Sequence, residues 1–171
     1  MKARGGPALA VLRPIMDTYM DSAVAVIGCN SRGLGRYSCE FDVLVVTGDR
    51  RPPTSLRIGD AFVDLKFSSE KDVLKPANPE HAISLALAKP MKDTSLVLST
   101  SSAANYAVLG ELAKKASGTR LASALKILGR AEAALAKGAL IDADFWLLAA
   151  SLLGRLGAKW MGTRSKHLSP N

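Results

Sequence analysis

The sequence predicts an α+β protein, in which a small mixed, mainly antiparallel sheet with flanking helices is followed by an α-helical subdomain. Two observations predict this order. Up to about residue 100, short apolar or alternating segments typical of strands are separated by turns rich in glycine, proline and aspartate. Beyond that point, alanine-rich segments carry leucines at helical spacing. We therefore expect a sheet domain over residues 1–100, a helical subdomain over 101–161 and a flexible tail over 162–171.

The elements of the first half follow from local patterns. A helix over 7–20 is expected to kink or begin at Pro14, because proline is tolerated only in the first turn of a helix. Gly59-Asp60 lies between two short apolar-alternating segments and is typical of a β-hairpin turn. A long glycine-containing turn over 28–39 separates two further strands. The predicted strands are 23–27, 40–47, 55–58 and 61–67.

The second half is predicted to be mostly helical. Residues 69–78 have an irregular pattern, a short helix follows to about residue 89, and 94–99 is expected to form an edge strand. Gly118 and Gly138 lie where C-terminal helix caps belong. The expected helices are 103–117, 120–138 and a third from about 142, with their leucine stripes packed in the core.

Composition and charge limit the function classes. Hydrophobic residues make up 48% of the chain, and the two cysteines offer no disulfide framework. No apolar run reaches the roughly 20 residues of a membrane span, so we expect a cytoplasmic protein without membrane association. Residues 79–171 carry 12 Lys and Arg against 6 Asp and Glu. This excess fits either a solvated helical face or a surface that attracts nucleic acid or another polyanion.

Carboxylates on the predicted strands indicate a metal site. Glu40 and Asp42 are two residues apart, so their side chains share one face of a strand, where they repel each other. A divalent cation would remove this repulsion. Asp64 interrupts an otherwise apolar strand and is the candidate third ligand, whereas Asp60 fits the hairpin turn. Lys66 shares the face of Asp64 and either pairs with it or contacts phosphates of a nucleotide.

The turn before these carboxylates has the composition of a phosphate-binding loop. Gly28 ends the buried strand, and Gly33 and Gly35 allow the backbone to approach a ligand closely. Backbone N–H groups in such a turn can bind phosphate oxygens. Arg32 and Arg36 add positive charge nearby.

Taken together, these residues resemble the nucleotidyltransferase superfamily, which includes DNA polymerase beta, kanamycin nucleotidyltransferase and the minimal nucleotidyltransferases. The resemblance covers residues 11–68. Two positions depart from the family pattern: Cys29 stands where serine is usual, and Glu40 stands where aspartate is commoner. The residues in register with the family motif are Gly28, Arg32, Gly33, Glu40, Asp42 and Asp64.

The resemblance implies a nucleotidyltransferase fold over residues 1–100 and Mg²⁺- or Mn²⁺-dependent transfer of a nucleoside monophosphate from a triphosphate such as ATP. Glu40 and Asp42 would bind the metal that carries the triphosphate. Asp42 and Asp64 would share a second metal, and Asp64 would orient or deprotonate the acceptor hydroxyl. The acceptor could be a small molecule, a protein or an RNA end. The implied nucleotide-binding residues are Gly28, Cys29, Arg32, Gly33, Arg36 and Lys66.

Two alternatives remain at this point. A catalytically silent module of the same fold would bind a nucleotide or a protein partner, and the Cys29 change and the short chain favour it. The retained carboxylates argue against it. A nucleic-acid-binding protein that uses only its basic helices would instead show salt-sensitive binding that does not depend on Asp42 or Asp64.

Overall fold

The computed structural model describes residues 7–32, 40–49 and 51–167 of the chain. These residues form two compact units, which divide between Ala107 and Val108. The first unit contains the sheet and the second is helical, so the predicted α+β class is confirmed.

The sheet of the first unit has five strands in the order β3-β4-β2-β1-β5. All neighbouring pairs are antiparallel except β2 and β4, which run parallel. The sheet is therefore mixed and mainly antiparallel, as predicted. The strands are β1 (Ala23–Ile27), β2 (Phe41–Val46), β3 (Thr54–Ile58), β4 (Ala61–Ser68) and β5 (Lys89–Lys92).

Helices cover both faces of this sheet. On one face, α1 packs its buried residues, among them Leu12 and Ile15, against β-strand valines such as Val43. On the other face, Val73 of α3, Leu85 of α4 and Leu98 of α5 pack against the strands. The helices of this unit are α1 (Pro7–Thr18), which contains Pro14 in its interior, α2 (Gly28–Ser31), α3 (Glu70–Leu74), α4 (Pro79–Ala86) and α5 (Val97–Ala107).

Alternation along β2 determines which face carries the candidate carboxylates. Val43 and Val45 belong to the core beneath α1, whereas Leu44 and Val46 belong to the core beneath α3, α4 and α5. Asp42 has the parity of Leu44 and lies on the second face. The first two residues of β2 are only partly buried, and the next four are buried. Asp42 therefore lies at the end of the strand where the core gives way to solvent.

Two predictions about residues 69–99 are wrong. Residues 70–74 form α3, because the hydroxyl of Ser69 accepts a hydrogen bond from the amide of Asp72 and caps the helix. The expected strand over 94–99 is instead a turn and the start of α5. The carboxylate of Asp93 accepts hydrogen bonds from the amides of Leu98 and Ser99, at 3.1 and 2.7 Å, which favours the helix.

The second unit is a pair of long helices, α6 (Leu109–Ala136) and α7 (Leu140–His167), joined at Gly138. Gly138 has φ of 71° and the amide of Ala139 bonds to the carbonyl of Ala134, as expected of a glycine C-cap. The predicted helix end at Gly118 is wrong, because α6 continues through it. Among the described residues, no helix is long and apolar enough to cross a membrane.

Most leucines of the second unit are not packed in a core. The buried positions of α6 and α7 are instead mainly small residues, which allow close packing of helices. The prediction that the leucine stripes form the core is therefore wrong. Among the side chains that the structure describes, the exposed large apolar residues of the two helices are Leu121, Leu125, Leu128, Leu135, Leu140, Ile141, Phe145, Leu147, Leu148 and Leu152.

Candidate active site

The parallel pairing of β2 with β4 brings two of the predicted carboxylates together. Asp42 and Asp64 are directly paired across the two strands, and neighbouring strands lie about 4.8 Å apart. Their side chains share the second face of the sheet, and both residues are partly buried. The sequence predicted both residues but not this register, which depends on a crossover between non-consecutive strands.

Gly28 makes room for the carboxylate of Asp42. It directly follows Ile27, which pairs with Asp42 across β1 and β2. A Cβ atom built on Gly28 would lie 2.5 Å from Oδ2 of Asp42, which is far inside van der Waals contact. Its φ of 73° also disfavours any residue with a side chain. Glycine at this position therefore allows the carboxylate to lie beside the end of β1.

Lys66 is the ionic partner of Asp42 in this structure. Its Nζ donates to Oδ1 of Asp42 at 2.7 Å, and the lysine side chain is about half exposed. The two residues are diagonal neighbours, since Lys66 pairs directly with Leu44. The sequence left open a pairing of Lys66 with Asp64, and the structure gives Asp42 instead.

Ser55 contacts the second carboxylate and was not identified from the sequence. Its hydroxyl donates to Oδ1 of Asp64 at 2.5 Å, across the β3–β4 hairpin. This contact could have been predicted from the sequence. A two-residue turn at Gly59-Asp60 pairs residues that are equally far from the turn, and counting outwards from it pairs Ser55 with Asp64.

Asn30 is a second residue that the sequence interpretation missed. Its side-chain amide donates to the carbonyl of Glu40 at 2.8 Å, which ties α2 to the start of β2. Glu40 itself is exposed and precedes the strand. Cys29 lies within α2 and Arg32 ends it, and both are partly buried. The predicted site residues Gly33 and Arg36 lie outside the described residues.

The donor chemistry of the paired aspartates suits a hard cation. Mg²⁺ is commonly held by one or two carboxylates together with substrate phosphates, and Asp42 and Asp64 offer two neighbouring carboxylates. Across the described ranges 7–32, 40–49 and 51–167, no group of three His, Cys, Asp or Glu residues is arranged to hold a metal ion. The assignment of Glu40 as a metal ligand beside Asp42 and Asp64 therefore stays a prediction.

A cavity lies at the opposite end of β2. It has a volume of about 820 Å³ and is open to solvent, and it is lined by residues that include Tyr19, Val46, Asp49 and Lys71. Val46 is four positions beyond Asp42 along the strand, which corresponds to about 13 Å. The cavity is large enough for a nucleotide. Because its lining contains neither Asp42 nor Asp64, we assign the candidate chemistry to the carboxylates and not to this cavity.

Comparison of the sequence with known proteins gives no family assignment. No protein-family model matches the sequence, and no curated protein sequence matches it.

Proposed function

We propose that the first unit is a metal-dependent nucleotidyltransferase, which transfers a nucleoside monophosphate from a nucleoside triphosphate to an acceptor hydroxyl. The main support is the direct pairing of Asp42 with Asp64 on neighbouring parallel strands. Like charges directly opposite each other destabilise a sheet, so folding alone does not favour this pair. Gly28, whose missing side chain leaves space for the Asp42 carboxylate, supports the same interpretation.

Asp42 and Asp64 would hold Mg²⁺, with Glu40 as a further candidate ligand. The bound cation would neutralise the triphosphate and polarise the phosphorus–oxygen bonds. Asp64 would orient the acceptor hydroxyl and accept its proton as the oxygen bonds to the α-phosphorus. The bond from the α-phosphorus to the bridging oxygen would break, and pyrophosphate would leave.

Lys66 would have a second role when the nucleotide binds. Its amine neutralises Asp42 at 2.7 Å, which offsets the repulsion between the two aspartates. Its side chain is about half exposed, so it can turn from Asp42 towards a phosphate oxygen when a cation takes its place. Ser55 would keep Asp64 in position through its hydrogen bond.

Nucleotide binding and pyrophosphate release test this proposal. We expect each productive triphosphate to raise the melting temperature more with MgCl₂ than without it, and to release pyrophosphate when a suitable acceptor is present. Asp42→Asn and Asp64→Asn should abolish the Mg²⁺-dependent part of the shift and the release. The matched control is Asp60→Asn, which removes an exposed carboxylate of the same hairpin and should change neither. Pyrophosphate release that persists in both site variants would refute the proposal.

A second candidate function is nucleotide binding without transfer. It is favoured by the internal partners of both aspartates, since Lys66 and Ser55 satisfy them without a metal. Cys29 also lacks the hydroxyl that the family's usual serine would offer to a triphosphate. Stabilisation by a triphosphate without pyrophosphate release, across small-molecule, protein and RNA acceptors, would favour this function over transfer.

A further inference from the structure

The second face of the sheet, which carries Asp42 and Asp64, is exposed along parts of β3 and β4. The helices α3, α4 and α5 pack against this face over β1 and β2. On β4, the side chains of Phe62 and Lys66 lie on the same face and are exposed, and the exposed fraction of Phe62 is 61%. A single exposed apolar residue is ordinary, but this aromatic ring lies beside the candidate carboxylates. A ligand of the site can therefore reach it.

Phe62, Asp64 and Lys66 form a row along this face of β4. Alternate residues of a strand share a face and are about 6.7 Å apart, so Asp64 lies between an aromatic ring and an ammonium group. In the proposed reaction, Asp64 would orient the acceptor hydroxyl and Lys66 would turn towards the triphosphate. The rest of the acceptor then extends from Asp64 towards Phe62, on the side away from Lys66.

Arg57 of the neighbouring strand lies against the ring of Phe62. The two residues are directly paired across β3 and β4, and the guanidinium carbon is 5.9 Å from the ring centroid. The guanidinium also donates to the carbonyl of Gly59 at 2.9 Å and lies 3.4 Å from Oδ1 of Asp60. These contacts hold it beside the ring before a ligand binds, which lowers the cost of ordering the site. An aromatic ring with an adjacent arginine is a typical platform for stacking a nucleobase.

We propose that Phe62 and Arg57 bind the terminal base of a single-stranded oligonucleotide acceptor whose 3′-hydroxyl lies at Asp64, an inference that rests on the proposed transfer function. In a nucleotide the sugar separates the base from this hydroxyl, which matches a ring and a carboxylate two residues apart on one strand. In a tyrosine acceptor the hydroxyl is attached to the ring itself, so stacking on Phe62 would leave it closer to Phe62 than to Asp64. The formal net charge of +8 favours a polyanionic acceptor over a neutral small molecule.

Fluorescence anisotropy with 5′-labelled single-stranded oligonucleotides tests this subsite. The wild type should bind an oligonucleotide with a complete 3′-terminal nucleotide about tenfold more tightly than one with an abasic 3′ end, because the complete end adds one stacked base. Phe62→Ala should remove this preference and Phe62→Trp should keep it. Both variants should retain the wild-type melting temperature, since the side chain is exposed. The matched control is Phe145→Ala, which removes a 60% exposed phenylalanine of α7 and should leave the preference unchanged.

Extension of the oligonucleotide separates this inference from the proposed function. With MgCl₂ and one triphosphate at a time, Phe62→Ala should raise the KM for the oligonucleotide about tenfold and leave the KM for the triphosphate unchanged. Base-dependent binding without pyrophosphate release for any acceptor would refute the transfer function and support the subsite. Pyrophosphate release with a tyrosyl peptide or a small-molecule hydroxyl, and not with an oligonucleotide, would support transfer and overturn the subsite. Equal binding of complete and abasic ends by the wild type, or an equal loss of preference in Phe145→Ala, would also overturn it.

Discussion

Replacing Gly28 with alanine tests whether the end of β1 is adapted to the Asp42 carboxylate. A left-handed backbone costs an L-residue about 1–2 kcal/mol. The new Cβ would lie 2.5 Å from Oδ2, so Asp42 must leave its rotamer, at about 0.5–1.5 kcal/mol. Asp42 would also lose its ion pair with Lys66, which as a surface pair is worth about 0.2–1 kcal/mol. We expect Gly28→Ala to lower the free energy of unfolding by about 2–4 kcal/mol.

Gly59 provides the matched control for the backbone contribution. It has φ of 59°, but a Cβ built on it meets nothing within 4 Å, so Gly59→Ala should cost only the backbone term of about 1–2 kcal/mol. Urea denaturation measures both variants, and amide hydrogen exchange in β1 and β2 locates the effect. Adding Asp42→Ala to Gly28→Ala should recover part of the loss. Equal losses for Gly28→Ala and Gly59→Ala, or no recovery in the double variant, would refute the reasoning.

Three further predictions concern the first unit. Burial lowers the pKa of His81 below 6.5, against the opposing charge of Asp72, so the folded state binds this proton less readily than the unfolded state. Stability should therefore fall as the pH drops through 6.5, and His81→Gln should flatten this dependence in urea titrations at several pH values. Although burial raises the pKa of Asp93, hydrogen bonds from Ser99 and neighbouring amides lower it below 3.8 overall, so its contribution should be lost as the pH falls below that value. Asp93→Ala should accordingly cost about 1 kcal/mol at pH 7 and less in acid, as measured by thermal denaturation. Leu96 is exposed and has φ of 58°, so Leu96→Gly should raise stability by about 0.5–1 kcal/mol in the same assay.

Local patterns were sufficient to predict several elements of the sheet. The continuously apolar segment of β1 and the turn at Gly59-Asp60 are strong signals, and both are confirmed. The prediction of a strand over 94–99 is wrong because Leu96, Val97 and Leu98 suit a strand by composition. The carboxylate of Asp93 favours the helix, because it accepts hydrogen bonds from amides five and six residues further along the chain. The strand propensity of individual residues does not take such a contact into account.

The candidate site shows a similar division between local and long-range information. Asp42 could be selected from its two-residue spacing from Glu40, and Asp64 as a carboxylate in an otherwise apolar strand. Their pairing depends on the parallel contact of β2 with β4, which spans 22 residues of chain and has no local signal. Lys66 pairs with Asp42 and not with Asp64 for the same reason, because this contact also depends on the pairing of β2 with β4. A diagonal contact follows from the register, which only the assembled sheet defines.

Asp64→Asn tests whether the paired aspartates serve function or fold stability. If the two carboxylates are held together for chemistry, neutralising one of them should relieve repulsion while the amide oxygen of asparagine still accepts the hydrogen bond from Ser55. We expect an unchanged or higher free energy of unfolding, by up to about 1 kcal/mol, the size of a cross-strand like-charge contact. Mg²⁺-dependent nucleotide stabilisation should be lost in the same protein. A loss of more than about 1 kcal/mol in urea denaturation would instead mean that the charge of Asp64 stabilises the fold, and the like-charge argument for a functional site would fail.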